Sequence, residues 1–541
     1  MAKLSLGLDA STQSLSAIIV DIESGDKSFE HSLDYRRDNR LNDFGIRSDY
    51  IIPPRVEGEA DQPPEMFWAA LDAMLDDIRT AGISLANVVV INDSGQQHGH
   101  VYLNKSAEDL FPQLRQKGSG EKDLLSLLEG SLAYLSSPIW MTSNTVAQTE
   151  YVRAAVGGKG NMIRLSGSDA PLRFTGTVIR RVAEQFPEVY TATENVQLIS
   201  SLIPAILTGN SKVPIDYGNA CGMSLMDYRN REWSVELVEA TAQGLPGGFE
   251  AFSEKLPDLV SPDTIVGNIA LYFVEKYGFS PSCKIVAGSG DNPQAKVLVS
   301  GDLLSLGTSF VNMVSTDGET FDMEGLANGM YDGIGRPFMF GCRTNGAMVW
   351  DEIRALYNLS KEDYDPAEEA LRRINPGSSL LFWQPKNESF PPSGSFDLIR
   401  ITYHSEPTLE SDYAGIIDSS LAAVYVHSEA FTKTCQESLY VTGGATISSE
   451  IMRRTAAIWN RKVVSIETGG PALGAAVAGA YAACESEDLP FDVEQFSQKV
   501  LKRDKPIEPN PAEVAAYHNR GGYLEQFRIE EAKIIAQHPI E

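Results

Sequence analysis

No apolar run in this chain reaches the roughly 18 residues that a membrane-spanning helix needs. The opening MAKLSLGLDAS also lacks the apolar core of a secretory leader. Cysteine is sparse: Cys221, Cys283, Cys342, Cys435 and Cys484 are scattered without metal-type spacing. They read as free thiols in a reducing compartment. Positive charge is also short, with 45 basic residues against 73 acidic and a formal net charge of -28. A broad attraction to nucleic acid or an anionic membrane is therefore excluded, since no extended positive field exists. No low-complexity tract or short solenoid repeat occurs. The expectation is a cytoplasmic globular protein with no nucleic-acid or membrane partner; a homodimer is compatible with the sequence. An anionic nucleotide stays open to it, because a nest of backbone N–H groups with Mg²⁺ outweighs a global field locally.

What is present organises around Val286 to Phe310, VAGSGDNPQAKVLVSGDLLSLGTSF. A short apolar strand runs into Gly288, Gly290, Asp291 and Asn292. A carboxylate at the end of a buried strand, on a glycine turn that admits another molecule, is a candidate general base. Taken alone, GDNP reads equally as an Asx-turn capping a helix from Pro293. The surroundings shift that balance. Leu303 to Ser309 is a second apolar strand, ending in a Gly-Thr-Ser turn suited to phosphate. Near the N-terminus Leu4 to Gln13, LSLGLDASTQ, is a strand, an aspartate and a turn with Ser11 and Thr12, followed by a second strand, Leu15 to Asp21. Similar strand-turn-strand loops thus stand near the head of each half. The length of 541 residues exceeds one compact core and predicts two domains.

In order along the chain, Asp38 to Pro64 reads as a long functional loop. Met66, Phe67, Ala70, Met74, Leu75 and Ile78 recur at helical spacing up to Gly82. Strand Val88 to Ile91 delivers the polar cluster NDSGQQHGH, in which His98 between glycines could face a cleft and bond a polyol, or serve as a structural histidine. His98 and His100 lack further ligands, so metal binding there is not expected. A helix is predicted to begin near Ser143 or Asn144. Arg173, before a helical run Val178 to Gln185, is a donor to a sugar hydroxyl or a turn cap. Leu198 to Leu207 is an apolar helix stopped by Gly209. Gly325 to Arg343 reads as a glycine-rich segment, Met348 as the start of a helix, Ser393 to Tyr413 as irregular β structure and Ser428 to Leu439 as a helix. Strand Leu439 to Thr442 ends in Gly443 and Gly444, with a helix from Ser449; such a turn can lie flat on a ligand. GGPALGAA introduces a helix whose small side chains suit tight packing on a sheet.

Six segments, DASTQ (9–13), SGQQH (94–98), GDNP (290–293), SLGTS (305–309), GGA (443–445) and GPALGAA (470–476), fall in the order found in the FGGY carbohydrate kinases. The chain resembles that family over nearly its whole length, and within it the xylulose kinases. The resemblance implies an α/β fold of two actin-like ATPase (ribonuclease H-like) domains with a catalytic cleft between them: a sugar-binding domain at 1–298 and a nucleotide-binding domain at 299–541. It implies ATP-dependent phosphorylation of the terminal hydroxyl of a ketopentose, D-xylulose to D-xylulose 5-phosphate, with another sugar such as D-ribulose, or a non-catalytic sugar sensor, as alternatives. By position, Asp9 would organise Mg²⁺ and the ATP phosphates beside Ser11, Thr12 and Gln13. Asp291 would be the base. His98, Asp291 and Asn292 would hold the sugar, with Gln97 and Arg173 as neighbours. Gly307 and Thr308 would line the second phosphate loop, and Gly443 and Gly444 the adenosine. Five features depart from the pattern, the first being Ser16, which stands where some members carry Lys. Thr142 and Asn219 stand where similar xylulose kinases carry Asp, Ser448 replaces an Asn that contacts nucleotide, and no Trp occurs in 358–365, where relatives stack one.

Overall fold

The structure, a computed structural model, describes residues 3–402, 406–432 and 437–540. Cys435 lies outside them; Cys221, Cys283, Cys342 and Cys484 are free thiols. Among the described residues no helix is long and apolar enough to cross a membrane.

The chain packs as two compact units, and the division is not a single cut at 298/299. The first comprises Met1–Leu298 with Gly329–Pro337 and Gly469–Val500; the second comprises Val299–Asn328, Phe338–Thr468 and Leu501–Glu541. Two segments of the second half therefore belong to the first unit. For Gly470–Glu485 the reason is steric. This helix lies against the first strand so closely that a Cβ on Gly7 would fall 2.0 Å from the Ala472 carbonyl oxygen and 2.4 Å from the Ala476 nitrogen. Only a glycine facing an Ala/Gly stripe permits that approach.

In the first unit, β1 (Leu4–Ala10), β2 (Ser14–Asp21) and β3 (Lys27–Asp34) form an antiparallel meander. The strand β4 (Val88–Gly95) pairs parallel with β1, β5 (Ile265–Asn268) pairs antiparallel with β6 (Lys284–Val286), and β6 pairs parallel with β4. The sheet order is β5-β6-β4-β1-β2-β3. β1 is buried along its whole length, as a strand covered on both faces must be. Helix Glu65–Thr80 buries Met66, Phe67, Leu71, Met74 and Ile78 in the core beneath it, following the predicted spacing. Helix Ile199–Thr208 ends at Gly209 in the left-handed conformation.

The second unit repeats the plan. β7 (Asp302–Leu306), β8 (Phe310–Ser315) and β9 (Pro337–Arg343) form a second antiparallel meander. β10 (Ser438–Thr442) pairs parallel with β7, and β11 (Lys462–Ser465) parallel with β10. The glycine-rich segment 325–343 carries strand structure at Asn328–Tyr331 and, at its end, β9.

A correction concerns the helix predicted at Ser428 to Leu439. The chain forms β structure at Phe396–Thr402 and then one helix, Leu409–Ser428, opened by a Thr408–Ser411 capping box. The helix thus precedes Ser428, and residues 433–436 of the predicted Ser428–Leu439 helix lie outside the described residues. Its sequence concealed it because it is buried nearly all round and carries buried acids. Asp418 receives Arg454 and the Tyr517 hydroxyl, and Asp412 receives Arg400 and the Tyr357 hydroxyl. With charges inside, no apolar stripe marks the period.

Candidate functional site

Because β1, β4 and β6 run parallel, their C-terminal ends open on one edge of the first sheet, the position where open α/β sheets bind ligands. Asp9 stands at the end of β1, Gln96, Gln97 and His98 follow β4, and Asp291 follows β6 as the first residue of helix Asp291–Val297. Residues far apart in sequence are thereby gathered at one edge.

Asp9 is buried, its two oxygens accepting from Ser11 Oγ and, at 2.7 Å, from Ser94 Oγ. Burial outweighs these bonds and pushes its carboxyl up to about 6. Asp291 is half-buried. Its Oδ1 accepts from the Asn292 backbone N–H at 2.8 Å and from Asn292 Nδ2 at 3.0 Å. Desolvation, reinforced by the charge of Asp9, lifts the Asp291 carboxyl to about 7. A carboxyl whose ionisation is held back by burial and by a second carboxylate is a setting that a cation relieves.

His98 takes a left-handed φ of 68°, stacks on Phe174 with ring centroids 4.5 Å apart, and places Nδ1 2.9 Å from the Gly222 carbonyl oxygen. Since a carbonyl only accepts, Nδ1 carries the proton and Nε2 keeps a lone pair. Burial, with Arg173 nearby, pushes the imidazole down to about 3, so the ring is neutral at pH 7. Arg173 stands half-buried in the turn before helix Thr175–Gln185.

Gln97 spends both ends of its amide internally: Oε1 accepts from Asn292 Nδ2 at 2.8 Å, and Nε2 donates to Met330 Sδ at 3.5 Å. Thr12 donates to Gln96 Oε1 at 3.0 Å and accepts from Trp140 Nε1 at 2.8 Å, whereas Gln13 is exposed. The two departures toward neutral residues have partners of their own. Thr142 donates to the Ala60 carbonyl at 3.2 Å, and Asn219 Nδ2 donates to Ser200 Oγ at 2.7 Å.

Sequence reading overlooked Asp216. It is buried, caps the turn carrying Asn219 through a 2.9 Å bond from the Asn219 N–H, and accepts from Ser289 Oγ at 2.7 Å. It therefore ties that turn to the residues leading into Asp291. Burial lifts its carboxyl to about 7. Its segment, IDYGNACG (215–222), is small-residue chain with no motif that marks the carboxyl.

The second unit holds a cavity of about 640 Å³ whose lining includes Gly307, Thr308, Tyr364, Glu368, Gly444 and Ser448. Its size suits a nucleotide. Gly307 and Thr308 stand at the end of β7, and Gly444 follows β10. Gly443 instead lies against β7 with φ 102°, where a Cβ would meet the Leu306 carbonyl oxygen at 2.6 Å. Ser448 caps helix Ser449–Trp459 and donates to Glu368, which also accepts from Ser449 Oγ at 2.6 Å. Tyr364 is an exposed aromatic on the lining, within the stretch 358–365 that holds no Trp.

Residues 136–297 match the N-terminal domain, and residues 303–483 the C-terminal domain, of the FGGY family of carbohydrate kinases. Xylulose kinase 2 of Arabidopsis thaliana is 31% identical, covering 88% of this chain and 87% of that protein. Two solved structures share the fold with a TM-score of 0.79. A xylulose kinase from Rhodospirillum rubrum is 16% identical, covering 98% of this chain and 99% of that one. A gluconate kinase from Lactobacillus acidophilus is 18% identical, covering 99% of each.

Proposed function

Since the chain belongs to the FGGY family of carbohydrate kinases, we propose that it transfers the γ-phosphoryl group of ATP to the terminal hydroxyl of a ketopentose, D-xylulose first and D-ribulose second. The fold does not choose the sugar, since the gluconate kinase shares it equally. Similarity in sequence to a xylulose kinase favours the ketopentose. The observation that carries the reading is the Asp291 carboxyl, raised to about 7 beside the amide of Asn292, on the same sheet edge as a neutral His98.

In this reading His98 Nε2 accepts from a sugar hydroxyl, the Asn292 amide orients the ketose, and Asp291 takes the proton of the attacking hydroxyl. The new O–P bond forms as the bond from γ-phosphorus to the bridging oxygen breaks, and ADP leaves. A base with a pKa near the working pH combines an ionised population with proton affinity. Asp9 and its serines would hold Mg²⁺. Among the described residues no group of three or more acidic, His or Cys side chains could hold a metal. That agrees with an ion which typically takes one or two carboxylates plus phosphate oxygens and water. When bound, Mg²⁺ neutralises charge developing on the phosphates. Gly307, Thr308 and Gly444 would line the phosphates and adenosine, with Tyr364 as the ring against which the base stacks.

The test is ADP release with Mg-ATP and D- and L-xylulose, D- and L-ribulose, fructose, glycerol and erythritol, each against a blank without sugar. Stimulation by D-xylulose well above the rest is expected. Stimulation by a non-pentose would overturn the sugar, and none by any sugar would overturn the transfer.

A further inference from the structure

Gly329–Pro337 lies outside every sugar-side motif, yet it is built into the first unit by a dense set of contacts. The Gly329 N–H donates to the Gly167 carbonyl at 2.8 Å and the Gly333 N–H to the Pro293 carbonyl at 3.0 Å. The Tyr228 hydroxyl donates to the Met330 carbonyl at 3.0 Å, and the Tyr331 hydroxyl to the Tyr228 carbonyl at 2.9 Å. Arg336 donates to the Val297 carbonyl at 3.0 Å, at the C-terminal end of the helix that begins with Asp291, and pairs with the buried Asp332. There is no room for slack: a Cβ on Gly333 would meet Gln294 Oε1 at 2.2 Å.

What this rigid segment presents to the sugar side is the Met330 sulfur. Met330 is 2% exposed and Gln97 4%. A side-chain amide rotated by half a turn keeps its shape but exchanges its donor and acceptor, so only its partners fix it. Here Asn292 Nδ2 requires the Gln97 oxygen, and the thioether, an acceptor without protons, can take only the Gln97 NH₂ group. Reversed, the amide would oppose NH₂ to NH₂ at Asn292. With Gln97 held, Asn292 directs its NH₂ to Gln97 Oε1 and Asp291 Oδ1 together, leaving its own oxygen to accept from the ligand.

We propose that Met330 is a positioning residue of the sugar site, its thioether fixing the Gln97 amide and, through it, the orientation of Asn292 beside Asp291. The proposal rests on the sugar-side reading given above for Asn292 and Asp291. It adds a residue from outside the recognisable motifs, and it makes Gln97 an intermediary rather than a ligand.

The experiment compares Met330→Leu, which keeps volume but removes the acceptor, with Met330→Gln, which restores an acceptor on an unbranched chain. With sugar and Mg-ATP, Met330→Leu is expected to lower kcat/KM for the sugar about 3- to 10-fold, the size of one ordinary hydrogen bond. The KM for ATP and the Tm stay near the parent's, and Met330→Gln returns most of the loss. Parental kinetics in Met330→Leu, or equal losses in both variants, would overturn the proposal, the latter because packing alone would explain it. A second readout needs no turnover: glutamine-selective nitrogen labelling, with the Gln97 signal identified by its disappearance in Gln97→Leu. A single well-resolved side-chain NH₂ pair in the parent that broadens or shifts in Met330→Leu and returns in Met330→Gln is expected; an unchanged pair would overturn the proposal. If no sugar stimulates ADP release by the parent, the functional reading fails, while the amide signals still decide the role of Met330.

Discussion

The Nδ1–H of His98 donates to the Gly222 carbonyl across 2.9 Å, and the same glycine leaves no space for a methyl group, since its Cβ would stand 2.7 Å from His98 Cε1 and Nδ1. One contact thus sets both the tautomer of the imidazole and the plane in which it lies. Gly222→Ala is expected to turn or displace the ring, raising KM for the sugar at least several-fold while leaving KM for ATP near the parent value. Steady-state kinetics with each substrate varied in turn separate the two, and an unchanged sugar KM would remove His98 from the sugar site.

Asp291→Asn keeps the shape and the Oδ1 acceptor but removes the base, so kcat is expected to fall by about 10² to 10⁴ without loss of Tm. Near-parental turnover would exclude Asp291 from proton transfer.

The pH profile follows from the same group. Raised to about 7 by burial and by the charge of Asp9, Asp291 is protonated and inactive as a base on the acid side. The parent's kcat/KM for the sugar should therefore rise with pH through about 7 and level off above it. The effect on stability has the opposite sign. A carboxyl whose folded pKa lies above its unfolded value favours folding fully below the unfolded pKa, near 4, and this contribution is lost as pH rises through about 7. Asp291→Asn should accordingly flatten the parent's decline in Tm between about pH 4 and 7. A kinetic profile flat between pH 5 and 8 would contradict the assignment.

Tyr364→Ala tests the nucleotide cavity. A base stacked on an aromatic ring gains about 1 to 3 kcal/mol, so KM for ATP should rise roughly fivefold or more, with sugar KM unaffected. Equal ATP affinity in the variant would show that the base does not rest on Tyr364.

Gly7→Ala tests the packing that brings helix Gly470–Glu485 onto β1. With 2.0 Å between the new Cβ and the Ala472 carbonyl oxygen, the backbone itself must shift. The expected loss is about 1 to 3 kcal/mol or more, read from the midpoint of urea unfolding. An unchanged midpoint would contradict the packing.

Much of this is legible in the chain itself. Strand-turn-strand loops at Asp9 and at Gly307 follow from apolar runs ending in small polar turns, and each proved to be the first hairpin of a sheet. The helix at Glu65–Thr80 follows from its apolar spacing, and Asp291 from its place on a glycine turn. Helix Leu409–Ser428 was not legible, because Asp412 and Asp418 sit inside it with partners that arrive from Arg400 and Arg454. A buried acid looks like a surface acid until its partner is known. Tyr364 escaped for a different reason: an aromatic residue in a polar stretch acquires meaning only once a cavity forms beside it.

The family, the duplicated plan and the residue types at the strand ends are written in the order of the residues, because periodicity, glycine turns and motif order are local properties of a chain. Tertiary structure alone decided that Gly329–Pro337 and Gly469–Val500 join the first unit, that Met330 meets Gln97, that Asp216 holds the residues leading into Asp291, and that His98 is neutral with its proton on Nδ1. These depend on burial and on partners 73 to 233 residues away, and the electrostatic character of a buried group is set by what surrounds it in space rather than by its neighbours in the chain.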